Sequence, residues 1–272
     1  MKRISVSFVI IMSFLVLVCG AKTSKDINDM KEEKDMRKTE TQIQSGTVIP
    51  YDKYVLGKGD TLYVTMVGHG SLMFEYRGKI IHVDPYSSVA DYSKLPKADL
   101  ILITHEHADH LDKAALAEIQ KSDTYLITTK ICNEILGYGE ILNNGDSKMW
   151  DGLEIAAVPA YNIVHKRADG NAYHPEGRGN GYVVKFGDYL IYIAGDTENI
   201  PEMDQLKGKI YIAFLPKNLP YTMDDDMFVD AAKKVSPEYL YPYHMAEFNE
   251  TEMNKALNGM NIELRVRPMS NK

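Results

Sequence analysis

Short apolar runs alternate with turn residues from Leu62 onward. The segments 62–67, 71–76 and 79–83 are such runs, and the turn residues between them predict a meander of three strands. Residues 99–104 are almost wholly apolar, which is typical of a strand covered on both faces. The series of short apolar runs that starts at Leu62 therefore begins with predicted strands.

Later apolar runs alternate with helical patterns. Asp112 is expected to cap a helix whose buried stripe includes Leu116 and Ile119. Strands are also predicted at 125–128, 153–159, 181–186, 189–194, 210–215, 239–243 and 262–266, and helices near 224–235 and 250–257. A meander followed by alternating strands and helices, with a similar plan in the second half, favours a layered α/β/β/α arrangement.

The N-terminus has the pattern of a bacterial export signal. Lys2 and Arg3 precede an apolar run at 4–18, and Cys19 follows. We predict that residues 1–21 direct export, so that the protein is periplasmic or anchored to the membrane at the cell surface. Cleavage before a lipidated Cys19 and plain cleavage after Ala21 are both open, and a retained membrane anchor is the alternative to cleavage.

Residues 22–46 are predicted to form a polar tether, and residues 47–272 one domain. The tether is charged and poor in large apolar residues, and no low-complexity segment divides the rest of the 272-residue chain. Either cleavage route leaves Cys132 without an intramolecular partner. No histidine lies beside Cys132 in the sequence, so we expect a buried thiol rather than a nucleophile.

The charge of the chain argues against nucleic acid as a partner. The apolar fraction of 44% and the charged fraction of 25% are ordinary for a globular protein. The net charge is −7, and Lys2 and Arg3 contribute +2, so the remainder carries −9. Phosphate backbones are bound mainly by lysine and arginine. A small-molecule substrate is therefore expected, and the sequence gives no indication of the oligomeric state.

The chemistry is concentrated in one segment, Thr104-His105-Glu106-His107-Ala108-Asp109-His110, which contains three of the eight histidines. It directly follows the apolar strand and precedes a helix. Alternate residues of an extended chain point the same way, so His105 and His107 can face one point and Asp109 and His110 a neighbouring point. Imidazole and carboxylate groups suit zinc and similar divalent ions.

This segment resembles the His-x-His-x-Asp-His signature of the metallo-β-lactamase superfamily. The resemblance covers roughly residues 62–267 and continues in Gly68-His69-Gly70-Ser71, His82-Val83-Asp84-Pro85, Gly195-Asp196-Thr197 and Tyr241-Pro242-Tyr243-His244. The segments Val158-Pro159-Ala160-Tyr161-Asn162, His174-Pro175-Glu176-Gly177 and Leu219-Pro220-Tyr221-Thr222-Met223 resemble the branch with ascorbate-phosphate lactonase-like and N-acyl-phosphatidylethanolamine phospholipase D-like proteins. The resemblance implies an α/β protein with the four-layer αββα sandwich.

The resemblance also implies a two-metal site. The first metal would be bound by His105 and His107, and Asp196 would bridge both metals. The second metal would be bound by Asp109, His110 and His244. The family's further histidine for the first metal follows a Val-Pro-Ala strand end, but this chain has Asn162 there. We predict that His174 replaces it, with His165 as the alternative.

Several other residues near the motifs have weaker predicted roles. Asp84 is expected to accept a hydrogen bond from a metal-bound imidazole, and Glu106 to point away from the metals. We expect His82 to pack within its strand. A site role and simple packing are equally open for His69. The same holds for Asn218 and Tyr221, which either line the cleft or belong to an ordinary loop.

The expected function is a metal-dependent hydrolase in which a metal-activated hydroxide attacks an ester, lactone, amide or phosphodiester. Two divalent ions are expected, zinc first, with manganese or iron as alternatives. Asp109 would be a ligand and also the catalytic proton acceptor. Asp196 stands near the position where several antibiotic-hydrolysing members have cysteine, which weakens a drug-resistance role. A non-catalytic, metal-containing binding module of the same fold is the competing hypothesis.

Overall fold

The computed structural model describes residues 40–44, 47–245 and 247–269. Residues 39–272 belong to one compact unit. The predicted export signal at 1–21 and most of the predicted tether lie outside the described residues, so both stay predictions from the sequence. Within the described ranges, every helix is too short or too polar to cross a membrane.

Two mixed sheets form the centre of the unit. Their strands are β1 (Glu40–Gln44), β2 (Thr47–Val55), β3 (Thr61–Gly68), β4 (Ser71–Tyr76), β5 (Lys79–Val83), β6 (Leu100–Leu102), β7 (Tyr125–Thr128), β8 (Glu140–Ile141), β9 (Ser147–Trp150), β10 (Leu153–Ala160), β11 (Gly179–Phe186), β12 (Tyr189–Ile193), β13 (Ile210–Lys217), β14 (Tyr239–Met245) and β15 (Glu263–Leu264). The first sheet has the order β1 to β8, and the second has the order β15 to β9. Neighbours are antiparallel from β1 to β5 and from β9 to β12, and parallel elsewhere.

Four α-helices are described: α1 (Lys113–Ile119), α2 (Lys130–Leu136), α3 (Asp225–Val235) and α4 (Glu250–Ala256). Short 3-10 helices span Gly57–Gly59, Tyr92–Lys94 and Pro201–Leu206. The helix α1 begins as predicted, because the Asp112 carboxylate accepts hydrogen bonds from the backbone N–H groups of Ala114 and Ala115. Asp224 caps α3 in the same way through Met227.

The alternation of side chains along β6 shows how the layers are assembled. Leu100 and Leu102 belong to the core that joins the two sheets, together with residues such as Ile191 and Phe214. Ile101 points the opposite way and packs with the helices on the outer face of the first sheet. The helices α3 and α4 cover the second sheet through Phe228, Ala231, Ala232, Val235 and Met253. The predicted αββα sandwich is confirmed by these three apolar clusters, and it explains why residues near β6 are almost wholly apolar.

The first two strands were not predicted. β1 lies inside residues 22–46, the segment expected to be a polar tether. β2 contains the fully buried Asp52, whose carboxylate accepts hydrogen bonds from the Arg267 guanidinium at 3.0 Å. Asp52 did not indicate a strand in the sequence, because its partner Arg267 lies far along the chain and an aspartate without a nearby partner is typical of a loop.

His82 packs within β5 as predicted, and it gives the fold a specific sensitivity to acid. Its Nε2 atom lies 3.0 Å from the Pro96 carbonyl, while Nδ1 has no hydrogen-bond partner. Burial lowers the pKa of His82 to about 4, although the Pro96 carbonyl opposes this shift. An unfolded histidine has a pKa of about 6.5, so the unfolded state binds the proton first as the pH falls. The free energy of unfolding should therefore decrease from about pH 6.5 down to about pH 4.

We predict that the His82→Gln variant, which has no titratable group at this position, loses part of this acid sensitivity. Between about pH 7 and pH 5, the wild type should lose about 2 kcal/mol more unfolding free energy than the variant. Urea unfolding of both proteins at each pH measures the difference, and the shared titration of all other groups cancels. Parallel curves would show that His82 is not held neutral by the fold.

Candidate metal centre

The motif residues meet where parallel strands of both sheets end. His105, His107, Asp109 and His110 follow β6 in the first sheet. In the second sheet, Asp196 follows β12 and His244 lies near the end of β14. Carboxyl ends of parallel strands share one edge of a sheet, and the loops beyond them bring side chains from distant parts of the chain together.

One set of four side chains, the first group, consists of His105, His107, His174 and Asp196. The distance between His105 Nε2 and His107 Nδ1 is 3.0 Å. His174 Nε2 lies 3.2 Å from His107 Nδ1 and also 3.2 Å from Asp196 Oδ2. One ligand atom from each residue therefore faces a common point, as the donors of a single cation do.

A second set of four, the second group, consists of His69, Asp109, His110 and His244. Asp109 Oδ2 lies 2.8 Å from His69 Nε2, 3.5 Å from His244 Nε2 and 3.7 Å from His110 Nε2. His69 was not assigned to a metal from the sequence. Its position in the loop between β3 and β4 brings it against Asp109, where it either binds a cation or orients the carboxylate.

Asp196 lies between the two groups. Its Oδ1 atom is 3.5 Å from His110 Nε2, and its Oδ2 atom is 3.4 Å from His244 Nε2. Oδ2 is also close to the first group through His174. A carboxylate in this position could be shared by two cations, which is the role that the family resemblance implies.

The polar atoms of the centre fit a bound cation. Among the described residues, only five buried side-chain polar atoms lack a hydrogen-bond partner, and three of them are here: His110 Nε2, His244 Nε2 and Asp196 Oδ1. Leaving such an atom unsatisfied costs about 1–3 kcal/mol. Nitrogen and carboxylate oxygen donors are the ligands that zinc, manganese and iron accept. A divalent ion in each group would satisfy the three atoms.

The electrostatics of the centre also favour positive charge. Burial by itself would lower the pKa of His110, but the carboxylates of Asp196 and Asp84 outweigh burial and raise it to about 10. Burial would raise the pKa of Asp196, yet His244 and His110 hold it well below its ordinary value. The pKa of His105 is lowered by burial and by His110, so its imidazole stays neutral. The raised pKa of His110 shows that the carboxylates favour positive charge at this point, and a bound cation would supply the same charge.

Asp84 orients His110 as predicted from the sequence. Its Oδ2 atom lies 2.8 Å from His110 Nδ1, and its Oδ1 atom accepts a hydrogen bond of 2.8 Å from the Thr104 backbone. The ring is fixed with Nε2 toward the second group, which is how a carboxylate tunes a metal-binding histidine. Gly70 allows this packing, because a Cβ atom there would lie 2.8 Å from His110 Cε1.

Asn162 and Glu198 decide which loop histidine enters the first group. Asn162 Oδ1 lies 2.6 Å from His174 Nδ1, which leaves His174 Nε2 facing the other ligands. Glu198 is fully buried and lies 3.0 Å from Asn162 Nδ2 and 2.7 Å from His165 Nδ1. Its carboxylate also accepts hydrogen bonds from the backbone N–H groups of Ile163, Val164 and His165. His165 is thus held by Glu198, and the structure brings only His174 into the group.

The remaining candidates line or flank the centre. Asn218 Nδ2 is 3.4 Å from His244 Nδ1, and the Tyr221 ring packs edge-on against Tyr173. Glu106 turns away from both groups and pairs with Arg178 at 2.7 Å. No sequence signal marked Glu198, because an acidic residue two positions after Asp196 has no distinctive spacing.

Comparison with known proteins identifies the family. Residues 63–244 match the model of the beta-lactamase superfamily domain. A UPF0173 metal-dependent hydrolase from Pyrococcus furiosus is 32% identical over 194 residues, which cover 66% of this chain and 83% of the relative.

Two solved structures are also similar. A candidate metal-dependent hydrolase from Parabacteroides distasonis is 45% identical, with a TM-score of 0.77 over 82% of this chain and 100% of its own. A metallo hydrolase from Ignicoccus hospitalis is 26% identical, with a TM-score of 0.64 over 76% and 94% of the two chains. Similar proteins carry the name metal-dependent hydrolase, and the chain therefore belongs to the beta-lactamase superfamily.

Proposed function

We propose that this protein hydrolyses a small molecule at a centre of two divalent cations, with zinc as the first candidate and manganese or iron as alternatives. The observation that carries the proposal is the pair of four-residue groups with Asp196 between them. The first group would hold one cation, and the second group the other. Cations held there would lower the pKa of water toward neutrality and polarise the carbonyl or phosphoryl oxygen of a substrate.

Asp109 is the residue of the second group that is best placed to handle a proton. Its side chain is 34% exposed, whereas those of His110 and His244 are at most 3% exposed. Burial would raise the pKa of Asp109, but His244 and His69 lower it, so the carboxylate is ionised. A carboxylate of low pKa holds a proton only briefly. Asp109 would accept the proton of the attacking water and pass it to solvent or to the leaving group.

Other residues of the centre orient the histidines that would bind the cations. Asp84 and Asn162 keep His110 and His174 in their orientations. Because the ester, lactone, amide and phosphodiester classes all suit such a centre, the fold alone does not choose among them. The proposal is therefore a hydrolase of one of these classes acting on a small molecule.

The proposal predicts about two divalent ions per chain. Purified protein should be incubated with excess zinc or manganese, passed through a desalting column and measured by elemental analysis. A value near two supports both groups as metal sites. A value near zero would remove the basis of the proposed hydrolysis, and a value near one would limit the cation to a single group.

A further inference from the structure

Arg167 differs from the other arginines of the described residues. Four of the five pair with carboxylates: Arg77 with Asp60, Arg178 with Glu106, Arg265 with Glu263 and Arg267 with Asp52. Arg167 makes no ion pair within 4.0 Å in the part of the chain that the structure describes. An arginine whose guanidinium has no carboxylate partner can bind an external carboxylate or phosphate group.

The guanidinium of Arg167 is directed at the mouth of the metal centre. Its Nη2 atom lies 3.3 Å from His107 Nε2 and 3.4 Å from the Tyr173 carbonyl oxygen. The guanidinium carbon lies 5.0 Å from the centroid of the Tyr173 ring. A tight turn fixes the backbone, since Arg167 and Asn171 share a hydrogen bond of 2.7 Å. The exposed side chain therefore lies beside His107 and the Tyr173 ring.

The contact between Arg167 and His107 has an unusual consequence once a cation is bound. His107 faces the first group through Nδ1. A neutral imidazole that binds through Nδ1 carries its hydrogen on Nε2, and a guanidinium has only donors. Two donors then face each other at 3.3 Å. An acceptor with negative charge would satisfy both of them at once.

We propose that Arg167 and the Nε2 atom of His107 form an anion subsite beside the metal centre, so that the substrate carries a carboxylate or phosphoryl group next to the bond that is cleaved. This inference rests on the proposed function, because it requires a cation on His107 Nδ1. The planar fork of Arg167 would bind two oxygens of such a group, with the Tyr173 ring as one wall. A local receptor is needed because the chain is acidic, with a net charge of −7.

The test uses zinc-loaded protein and two simple anions, inorganic phosphate and acetate, with binding measured by calorimetry. We expect Arg167→Ala to weaken binding of at least one anion by about tenfold, the loss that corresponds to one charge-assisted hydrogen bond. Lys166→Ala is the matched control, since it removes the same charge from the neighbouring position. It should change the dissociation constant by less than about twofold.

The affinities for phosphate and acetate, together with the zinc content, distinguish the possible outcomes. Weakening for phosphate alone assigns the subsite to a phosphoryl group, and weakening for acetate alone assigns it to a carboxylate. Arg167→Lys keeps the charge but loses the fork, so it should recover only part of the affinity. If Arg167→Ala and Lys166→Ala bind both anions alike at full zinc content, the anion subsite is wrong and the hydrolase proposal stands. If the wild type takes up neither zinc nor manganese, both proposals fall.

Discussion

Replacing Asp196 with alanine should lower the hydrolysis of any substrate found for the wild type by at least about a hundredfold, together with the metal content. The carboxylate lies between the two groups, within 3.5 Å of His110 Nε2 and 3.2 Å of His174 Nε2. Without it, two cations in a buried site would repel each other with no negative charge between them. Loss of a main electrostatic contribution typically costs about this much in rate.

The Asp196→Ala protein should remain folded. The carboxylate is not part of the apolar cluster between the sheets, which near-ultraviolet circular dichroism can monitor. Asp123→Ala is a suitable control, because it removes an exposed carboxylate outside both groups. Turnover near the wild-type rate in Asp196→Ala would exclude the two-cation mechanism. A wild type that binds metal but hydrolyses no ester, lactone, amide or phosphodiester would favour the binding-module hypothesis instead.

Replacing His174 with alanine should weaken binding of the first cation by at least about a hundredfold, whereas His165→Ala should weaken it by less than about tenfold. The reason is that only His174 points its Nε2 atom into the first group, while His165 binds Glu198. Asn162→Ala should fall between them, because loss of a group that orients a ligand costs about tenfold to a hundredfold in metal affinity. Competition with a chromophoric chelator measures all three.

Results that contradict the expected ranking of His174→Ala and His165→Ala would also be informative. Small and equal effects of both substitutions would mean that His105, His107 and Asp196 hold the first cation alone. A larger effect of His165→Ala would show that the loop adopts another arrangement when metal is bound, with Glu198 releasing His165. Circular dichroism of each variant distinguishes these results from a general loss of structure.

The fold was predictable wherever local signals agree with the final layers. Residues 99–104 were predicted as a strand covered on both faces because they are almost wholly apolar, and both faces of the observed strand β6 (Leu100–Leu102) are buried. The break between the predicted strands 181–186 and 189–194 and the Asp112 cap are local features, and each marks an element boundary that the structure confirms. β2 was missed because a polar residue such as Asp52 finds its partner, Arg267, only in the folded protein.

The same division applies to the metal centre. The spacing of His105, His107, Asp109 and His110 is a local property, so the sequence placed these four side chains together. The choice between His174 and His165 depends on Glu198, which lies more than 20 residues further along the chain, and could only be guessed by resemblance. His69 was undecided because its contact with Asp109, a residue distant along the chain, forms only in the folded protein.

Each group draws its side chains from both sheets. The first group joins His105 and His107, after β6, to Asp196, after β12; the second joins His110 to His244 on β14. Cation binding therefore opposes separation of the two sheets, and its free energy adds to the stability of the folded chain. Substitutions that loosen the packing between the sheets should therefore destabilise the protein less when metal is abundant than when it is scarce. The amount of sequence change that this protein tolerates would then be set partly by the metal content of its surroundings.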